Sequence, residues 1–196
     1  MLNDIIGGIL TPNYSYLEQS ISDLTKAGTQ DAYLLGSILL FIAAIMGIIF
    51  GIAIISHYKF KISKLIFLGG LFFIIIGLFN SLTGTIFPQD TIGGEVTFPG
   101  TMHLILVGIM VILSILALLM IGIGLYRERQ WKSFRLYTFI SVLVTIIFGG
   151  LSAYVIANDI GFIGLVERIP AYVIQLWTVV LAYKLITEYE SVKIKG

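Results

Sequence analysis

The sequence predicts an all-α fold, a polytopic transmembrane helical bundle with five spans. Three observations lead to this prediction: the composition, the long uninterrupted apolar blocks, and charges that are sorted by loop. Of the 196 residues, 58% are hydrophobic and only 12% are charged. A soluble domain has about 25% charged residues. The chain therefore has too few polar side chains to cover a soluble globule, which argues strongly against a soluble enzyme.

The same composition argues against several function classes. A net charge of +1 offers no basic footprint for DNA or RNA, so no nucleic-acid partner is expected. The two histidines, His57 and His103, fall at opposite ends of the predicted bundle and cannot both bind one haem. Cysteine is missing and no ionisable residue lies near the middle of a span. We therefore predict no cofactor and no resident metal, and nothing favours ion-coupled transport.

Residues 1–30 are predicted to form an outer interfacial segment that contains an amphipathic helix. Between residues 13 and 26, Tyr14, Leu17, Ile21 and Leu24 fall on one helical face. Such a helix would lie in the plane of the membrane interface. No Lys or Arg precedes Lys26, and the opening MLNDIIGGIL is too short and wrongly flanked for a cleaved leader.

The five spans follow in order within one membrane domain, residues 1–196. Each block approaches the roughly 20 apolar residues that cross a bilayer, and none alternates as the strands of a barrel would. The predicted spans are 33–55, 65–86, 102–126, 134–157 and 169–187. Small residues form close-approach stripes, which are Ala43, Gly47 and Gly51 in the first span and Gly70, Gly77 and Gly84 in the second. Asn80 shares the second stripe and should point into the bundle.

Charge distribution predicts the orientation. Ten of the twelve Lys and Arg residues fall in the loops after the first and third spans or at the C-terminal end. Eight of the eleven acidic residues fall on the other side. Because basic residues are enriched on the cytoplasmic side, the N-terminus should be outside and the C-terminus inside. The expected location is the plasma membrane, which the chain would cross several times.

Polar residues from four segments converge on the outer boundary, where we expect any functional site. The candidate catalytic residues are His103, Asp90, Asp23 and Ser22. The candidate binding residues are Arg168, Asn80, Glu167 and Gln175. A histidine with carboxylates can act as an acid–base pair, a serine reached by it as a nucleophile, and the acids with the histidine as metal ligands. No diagnostic catalytic motif accompanies these residues.

Structural roles are the alternatives for the same residues. His103 would be an interfacial side chain, and Asp90 would form a turn or a helix cap after Phe87-Pro88. Glu167 would cap the fifth span ahead of Pro170, and Arg168 would pair with Glu167 or with a lipid phosphate.

Two functions remain open from the residues. In the first, an outward-facing polar pocket, roofed by the N-terminal segment, binds or hydrolyses a membrane lipid or small amphiphile, with Arg168 holding an anionic headgroup. In the second, the chain is a small non-catalytic accessory subunit of a larger membrane protein complex. A homo-oligomer and a hetero-oligomeric complex are both compatible with the sequence, and so are an enzyme and a binding protein.

Several short motifs in fixed order resemble a known family. They are Tyr14-Ser15 with Ser22-Asp23-Leu24, Gly77-Leu78-Phe79-Asn80 running to Phe87-Pro88-Gln89-Asp90, His103, and Gly164-Leu165-Val166-Glu167-Arg168 leading to Leu176-Trp177. On these the chain resembles the uncharacterised prokaryotic membrane proteins grouped as domain of unknown function 998. The resemblance implies a six-helix protein whose first helix, before Tyr14, is cut here to about ten residues. Members often carry a second histidine where this chain has Pro99, so no two-histidine metal site is implied. The resemblance supports the outer polar cluster and implies no activity.

Overall fold

The computed structural model describes residues 1–26, 33–57, 63–90, 94–126 and 128–195, which fold as helices without strands. The six α-helices in these ranges are α1 Leu2–Leu10, α2 Leu40–His57, α3 Lys64–Thr85, α4 Phe98–Gly124, α5 Lys132–Ala157 and α6 Ile163–Lys195. A π-helical stretch, Tyr33–Leu39, leads directly into α2, and a short 3-10 helix, Arg129–Trp131, leads into α5.

Five of these helices are long and apolar enough to cross a membrane, which confirms the predicted number of spans. The candidate spans are Leu34–His57, Lys64–Thr85, Phe98–Gly124, Arg129–Ala157 and Ile163–Thr187. Consecutive spans pack against each other, α2 on α3, α3 on α4, α4 on α5 and α5 on α6. The chain is therefore a multi-pass membrane protein, while its orientation in the bilayer stays a prediction.

The last helix begins earlier than predicted. It starts at Ile163 rather than at 169, so Glu167 and Arg168 lie inside α6 instead of preceding it, and Pro170 is an interior residue. Proline removes one helical hydrogen bond, the one to the carbonyl four residues earlier. That residue is Val166, which is only 2% exposed. These first turns are tied to the N-terminal segment, because the Leu165 amide donates to the Leu17 carbonyl (3.2 Å).

The N-terminal helix is Leu2–Leu10, and the prediction of a helix over residues 13–26 is wrong. The chain reverses at Asn13, which has a φ of 59°, and then follows an irregular path to a 3-10 turn at Ser22–Thr25. Side-chain bonds compete with helix formation here, because the Tyr14 hydroxyl donates to the Ser20 carbonyl (2.7 Å) and the Ser15 amide donates to Gln19 Oε1 (2.8 Å). We call residues 1–26 the N-terminal segment.

Small residues bring α2 and α3 into backbone contact, as their spacing predicted. A Cβ on Gly51 would lie 2.6 Å from the Gly70 carbonyl oxygen, and one on Gly77 would lie 2.8 Å from that of Ala44. Ala43, predicted to belong to this stripe, is exposed instead, since the helix turns about 100° per residue and its neighbour Ala44 faces α3. Asn80 points into the bundle as expected, and its amide donates to the Leu40 carbonyl (3.3 Å).

An aromatic core lies between the long helices. Trp177 is fully buried, stacks on Phe73 with ring centroids 5.7 Å apart, and donates from Nε1 to Thr138 Oγ1 (2.9 Å). The N-terminal segment lies at the end of the bundle where α3 ends and where α4 and α6 begin. We call this end the N-terminal face. Seven of the eight predicted site residues lie at it, while Gln175 lies about 18 Å along α6 from its first residue, Ile163.

Candidate functional site

Arg168 and Asp4 form a buried ion pair at the N-terminal face. The guanidinium donates from Nε to Asp4 Oδ2 (2.9 Å) and from Nη2 to Asp4 Oδ1 (2.8 Å). Arg168 is 7% exposed and Asp4 is 1% exposed. Two-point contact between a guanidinium and a carboxylate is the strong, directional form of this interaction. The pair joins the first helix to the last, 164 residues apart in sequence.

The remaining donors of Arg168 are also engaged. Nη1 donates to the carbonyls of Tyr16 (2.8 Å), Gln19 (2.9 Å) and Gly164 (2.8 Å), and Nη2 donates to the Tyr14 hydroxyl. An arginine has five N–H groups, and each of them meets a protein acceptor here. We call Arg168, Asp4 and Tyr14 the latch. That Arg168 holds an anionic headgroup stays a prediction, and such a ligand would have to displace these bonds.

Neighbouring residues complete the latch. Tyr172 donates its hydroxyl to Asp4, and Gln175 accepts from the Met1 amino group. Gly164 leaves room for the N-terminal segment, because a Cβ there would lie 2.4 Å from the Gln19 carbonyl oxygen and 2.6 Å from that of Tyr16. Burial raises the pKa of Tyr14 far above its ordinary value, so its hydroxyl stays protonated and available to the latch.

Asp23 ties the N-terminal segment to the end of α3. Its carboxylate accepts from the Ser20 amide (2.7 Å), pairs with Lys26 (2.8 Å) and accepts from Gln89 Nε2 (3.3 Å). Asp23 is 6% exposed, so these partners replace the water it loses. The predicted convergence of the N-terminal segment with the loop after the second span is therefore present at Asp23 and Gln89.

Glu167 and Ser22 lie at the margins of this group. Glu167 is half-buried near the charges of Asp23 and Arg168 and beside the backbone amide of Ile21. The Ser22 hydroxyl lies 3.1 Å from that of Ser20. Within the described part of the chain, Ser22 makes no hydrogen bond with His103, so the nucleophile and the base of the acid–base hypothesis are not in contact.

His103 lies where α3 ends and α4 begins. Its Nδ1 is 2.8 Å from the Phe87 carbonyl oxygen, and because a carbonyl only accepts, Nδ1 carries the proton. The side chain is 3% exposed, and Nε2 is buried without a hydrogen-bond partner among the described residues. Gln89 also has a buried atom without a hydrogen-bond partner among the described residues, its Oε1, while its Nε2 donates to Asp23. We call His103 Nε2 and Gln89 Oε1 the acceptor pair.

Asp90 is hydrogen-bonded to the residue that precedes α4. Its carboxylate accepts from the Thr97 amide (2.9 Å) and the Thr97 hydroxyl (2.6 Å), and Thr97 in turn caps the helix by accepting from the Gly100 amide (3.2 Å). These hydrogen bonds lower the pKa of Asp90. Asp90 therefore holds the capping residue Thr97 in place and does not cap α4 itself, and it makes no hydrogen bond with His103 in the described ranges.

Sequence reasoning missed Asp4 and Gln89. Asp4 stands alone in an apolar decapeptide, and nothing in its spacing points to a partner in the last helix. Gln89 looks like any polar residue of a loop in Phe87-Pro88-Gln89-Asp90. Among the described residues, no group of three or more His, Asp or Glu side chains is placed to hold a metal ion.

Comparison with known proteins gives a family and no relative of known activity. No curated protein and no solved structure matches the chain. The family model described as "Protein of unknown function (DUF998)" matches residues 1–184 of the 196. This match agrees with the resemblance found in the motifs, and the chain belongs to the DUF998 family.

Proposed function

We propose that this multi-pass membrane protein binds a lipid or small amphiphile through polar groups at its N-terminal face. The observation that carries the proposal is the acceptor pair: His103 Nε2 and Gln89 Oε1 are buried and unpartnered in the part of the chain that the structure describes. Buried polar atoms are nearly always hydrogen-bonded in native proteins, and those that are not call for a functional explanation. A bound polar group that donates a hydrogen bond would satisfy such an atom.

The setting favours an amphiphile over a purely soluble ligand. Polar atoms of Asp23, Gln89 and His103 lie at the end of a bundle whose outer helix faces are apolar and exposed, as on Phe98, Leu104 and Ile105 of α4. A lipid places its headgroup at that depth and its chains along such faces. The N-terminal segment, fixed by the latch, covers the same end as the expected roof.

Binding is better supported than hydrolysis. A neutral His103 with Nδ1–H held by a carbonyl presents Nε2 as a base, which suits acid–base catalysis. A hydrolase also needs an activated nucleophile within hydrogen-bonding reach of that base. Ser22, the nucleophile considered from the sequence, is bonded to Ser20 instead.

Lipid retention by the purified protein tests the proposal. The full chain would be extracted in mild detergent and its bound lipid counted by native mass spectrometry, for wild type, His103→Asn and the control His57→Asn. Asparagine can still donate to the Phe87 carbonyl, while the Nε2 acceptor is lost. We expect wild type and the control to retain lipid and His103→Asn to lose at least about tenfold in occupancy, as expected for a buried site that loses a polar contact. Equal occupancy in three well-folded proteins would contradict the proposal.

A further inference from the structure

Both atoms of the acceptor pair accept hydrogen bonds and donate none. His103 Nε2 and Gln89 Oε1 lack partners among the described residues. The Gln89 amide cannot be turned around, because its nitrogen must face the Asp23 carboxylate, which only accepts. The orientation of Gln89 and the tautomer of a neutral His103 are therefore both fixed by their neighbours.

The end of α3 adds further acceptors. The amides of Ile86 and Phe87 both return to the Leu82 carbonyl (2.9 Å each), so the Thr83 carbonyl does not receive the amide four residues later. This carbonyl lies near the His103 ring. The last carbonyls of a helix carry the negative end of its dipole, and α3 has no basic residue in its last turn to offset it.

The charged donors described at this face are engaged by protein acceptors, and the neutral amide of Asn3 keeps a buried donor, Nδ2, without a partner in the described part of the chain. Every N–H group of Arg168 meets a protein acceptor, and Lys26 is paired with Asp23. A phosphate brought to the acceptor pair would meet lone pairs, a helix C-terminus and the Asp23 carboxylate. Like charges and unpaired acceptors at short range are destabilising.

We infer that the group bound at the acceptor pair is a protonated primary amine, whose N–H groups donate to His103 Nε2, Gln89 Oε1 and the Thr83 carbonyl. An ammonium group has three N–H donors and no acceptor, which matches three buried acceptors at the negative end of a helix. The inference rests on the proposed function and makes it specific: the headgroup is an amine, as in phosphatidylethanolamine, or a free amine from solution.

Competition between lipids of opposite headgroup charge tests the inference. The full chain in nanodiscs would be exposed to equal amounts of phosphatidylethanolamine and phosphatidylglycerol, and the lipid retained on extraction would be identified by native mass spectrometry. A parallel arm adds ethanolamine in solution and follows binding by calorimetry. We expect the amine lipid to be retained at least about tenfold over the glycerol lipid, a difference of about 1.4 kcal/mol. Saturable binding of ethanolamine would show that the site binds a free amine from solution and does not need the rest of the lipid.

The substitution Gln89→Lys would supply an ammonium group to the site from the chain itself. We expect Gln89→Lys to abolish the preference for the amine lipid, while Gln130→Lys, at an exposed glutamine on the opposite end of the bundle, leaves it unchanged. If Gln89→Lys fails to fold, His103→Asn replaces it with the same expected loss. Retention of phosphatidylglycerol that depends on His103 would overturn this inference and leave the proposed function standing. Retention of neither lipid, with no amine binding, would overturn both.

Discussion

Two polar groups at the N-terminal face differ in how fully their hydrogen-bonding capacity is met. The latch is saturated: every donor of Arg168 has an acceptor, and both oxygens of Asp4 are bonded. The acceptor pair is unsaturated, because His103 Nε2 and Gln89 Oε1 have no partner among the described residues. A saturated buried group holds a structure in place, whereas an unsaturated one has capacity for a ligand. Under the proposed function, the latch holds the N-terminal segment in place and the acceptor pair is the binding element.

The largest effect should come from breaking the latch. Arg168→Met leaves the Asp4 carboxylate buried without its charge partner, which costs about 3–5 kcal/mol of unfolding free energy. Denaturant titration in detergent would measure the loss, and faster trypsin cleavage after Lys26 would report release of the N-terminal segment. Adding Asp4→Leu removes the orphaned charge, so the double variant should be more stable than Arg168→Met alone. A double variant less stable than both single variants would mean that Asp4 and Arg168 do not act as a pair.

A smaller effect should follow from filling the space under the N-terminal segment. Gly164→Ala places a methyl group against two backbone carbonyls that cannot move independently, and we expect a loss of about 1–3 kcal/mol. Gly161→Ala is the matched control, because a Cβ at Gly161 meets nothing within 4 Å. Equal stability of the two variants in the same titration would show that the segment is not held against α6 as described.

Tyr14 gives the latch a pH signature. Its pKa is raised by burial, so the folded state holds the phenolic proton more tightly than the unfolded chain does. The resulting stability is complete below the ordinary tyrosine pKa of 10.0 and is lost as pH rises above it. Tyr14→Phe should cost about 1 kcal/mol at neutral pH, through the lost hydroxyl, and flatten the alkaline decline in Tm. If Tm fell with rising pH in Tyr14→Phe as it does in the wild type, ionisation of Tyr14 would not be the cause of the alkaline decline.

The smallest effect should come from Asp90, which lies next to the acceptor pair without belonging to it. Its lowered pKa means that the Thr97 cap contributes stability above the ordinary carboxyl pKa of 3.8 and loses it as pH falls through the lower folded value. Asp90→Asn should lower Tm slightly at neutral pH, reduce the acid dependence and leave lipid retention unchanged. Loss of lipid retention in this variant would extend the binding element to Asp90.

Periodicity and composition predicted the parts of the fold that depend on one segment at a time. The five spans, the inward position of Asn80 and the glycine contacts between the first two spans all follow from local spacing. Ala43 was predicted to lie on the face of α2 that contacts α3, but Ala44 takes that position. Both residues are small, so only packing distinguishes them. The N-terminal helix was misplaced because the apolar spacing at Tyr14 to Leu24 is weaker than the side-chain bonds that hold this stretch in a loop.

The sequence predicted at which end of the bundle the site residues lie, but not which residues they contact. Asp23, Glu167, Arg168 and His103 all lie at the N-terminal face, as charge sorting and position in the spans implied. Their contacts depend on residues far apart in sequence, such as Asp4 with Arg168 and Asp23 with Gln89. No local sequence pattern links these residues. The sequence therefore did not show that all donors of Arg168 are hydrogen-bonded within the protein while His103 Nε2 has no partner among the described residues.

The protonation of His103 in a lipid environment tests the central claim most directly. In a His57→Asn background His103 is the one histidine of the chain, so its ring nitrogens can be observed by ¹⁵N NMR in nanodiscs. We predict a neutral ring at neutral pH, with Nδ1 protonated and Nε2 bare, and an Nε2 signal that changes with phosphatidylethanolamine but not with phosphatidylglycerol. A ring protonated at both nitrogens, with Nε2–H donated to the Thr83 carbonyl and no response to the amine lipid, would contradict the account.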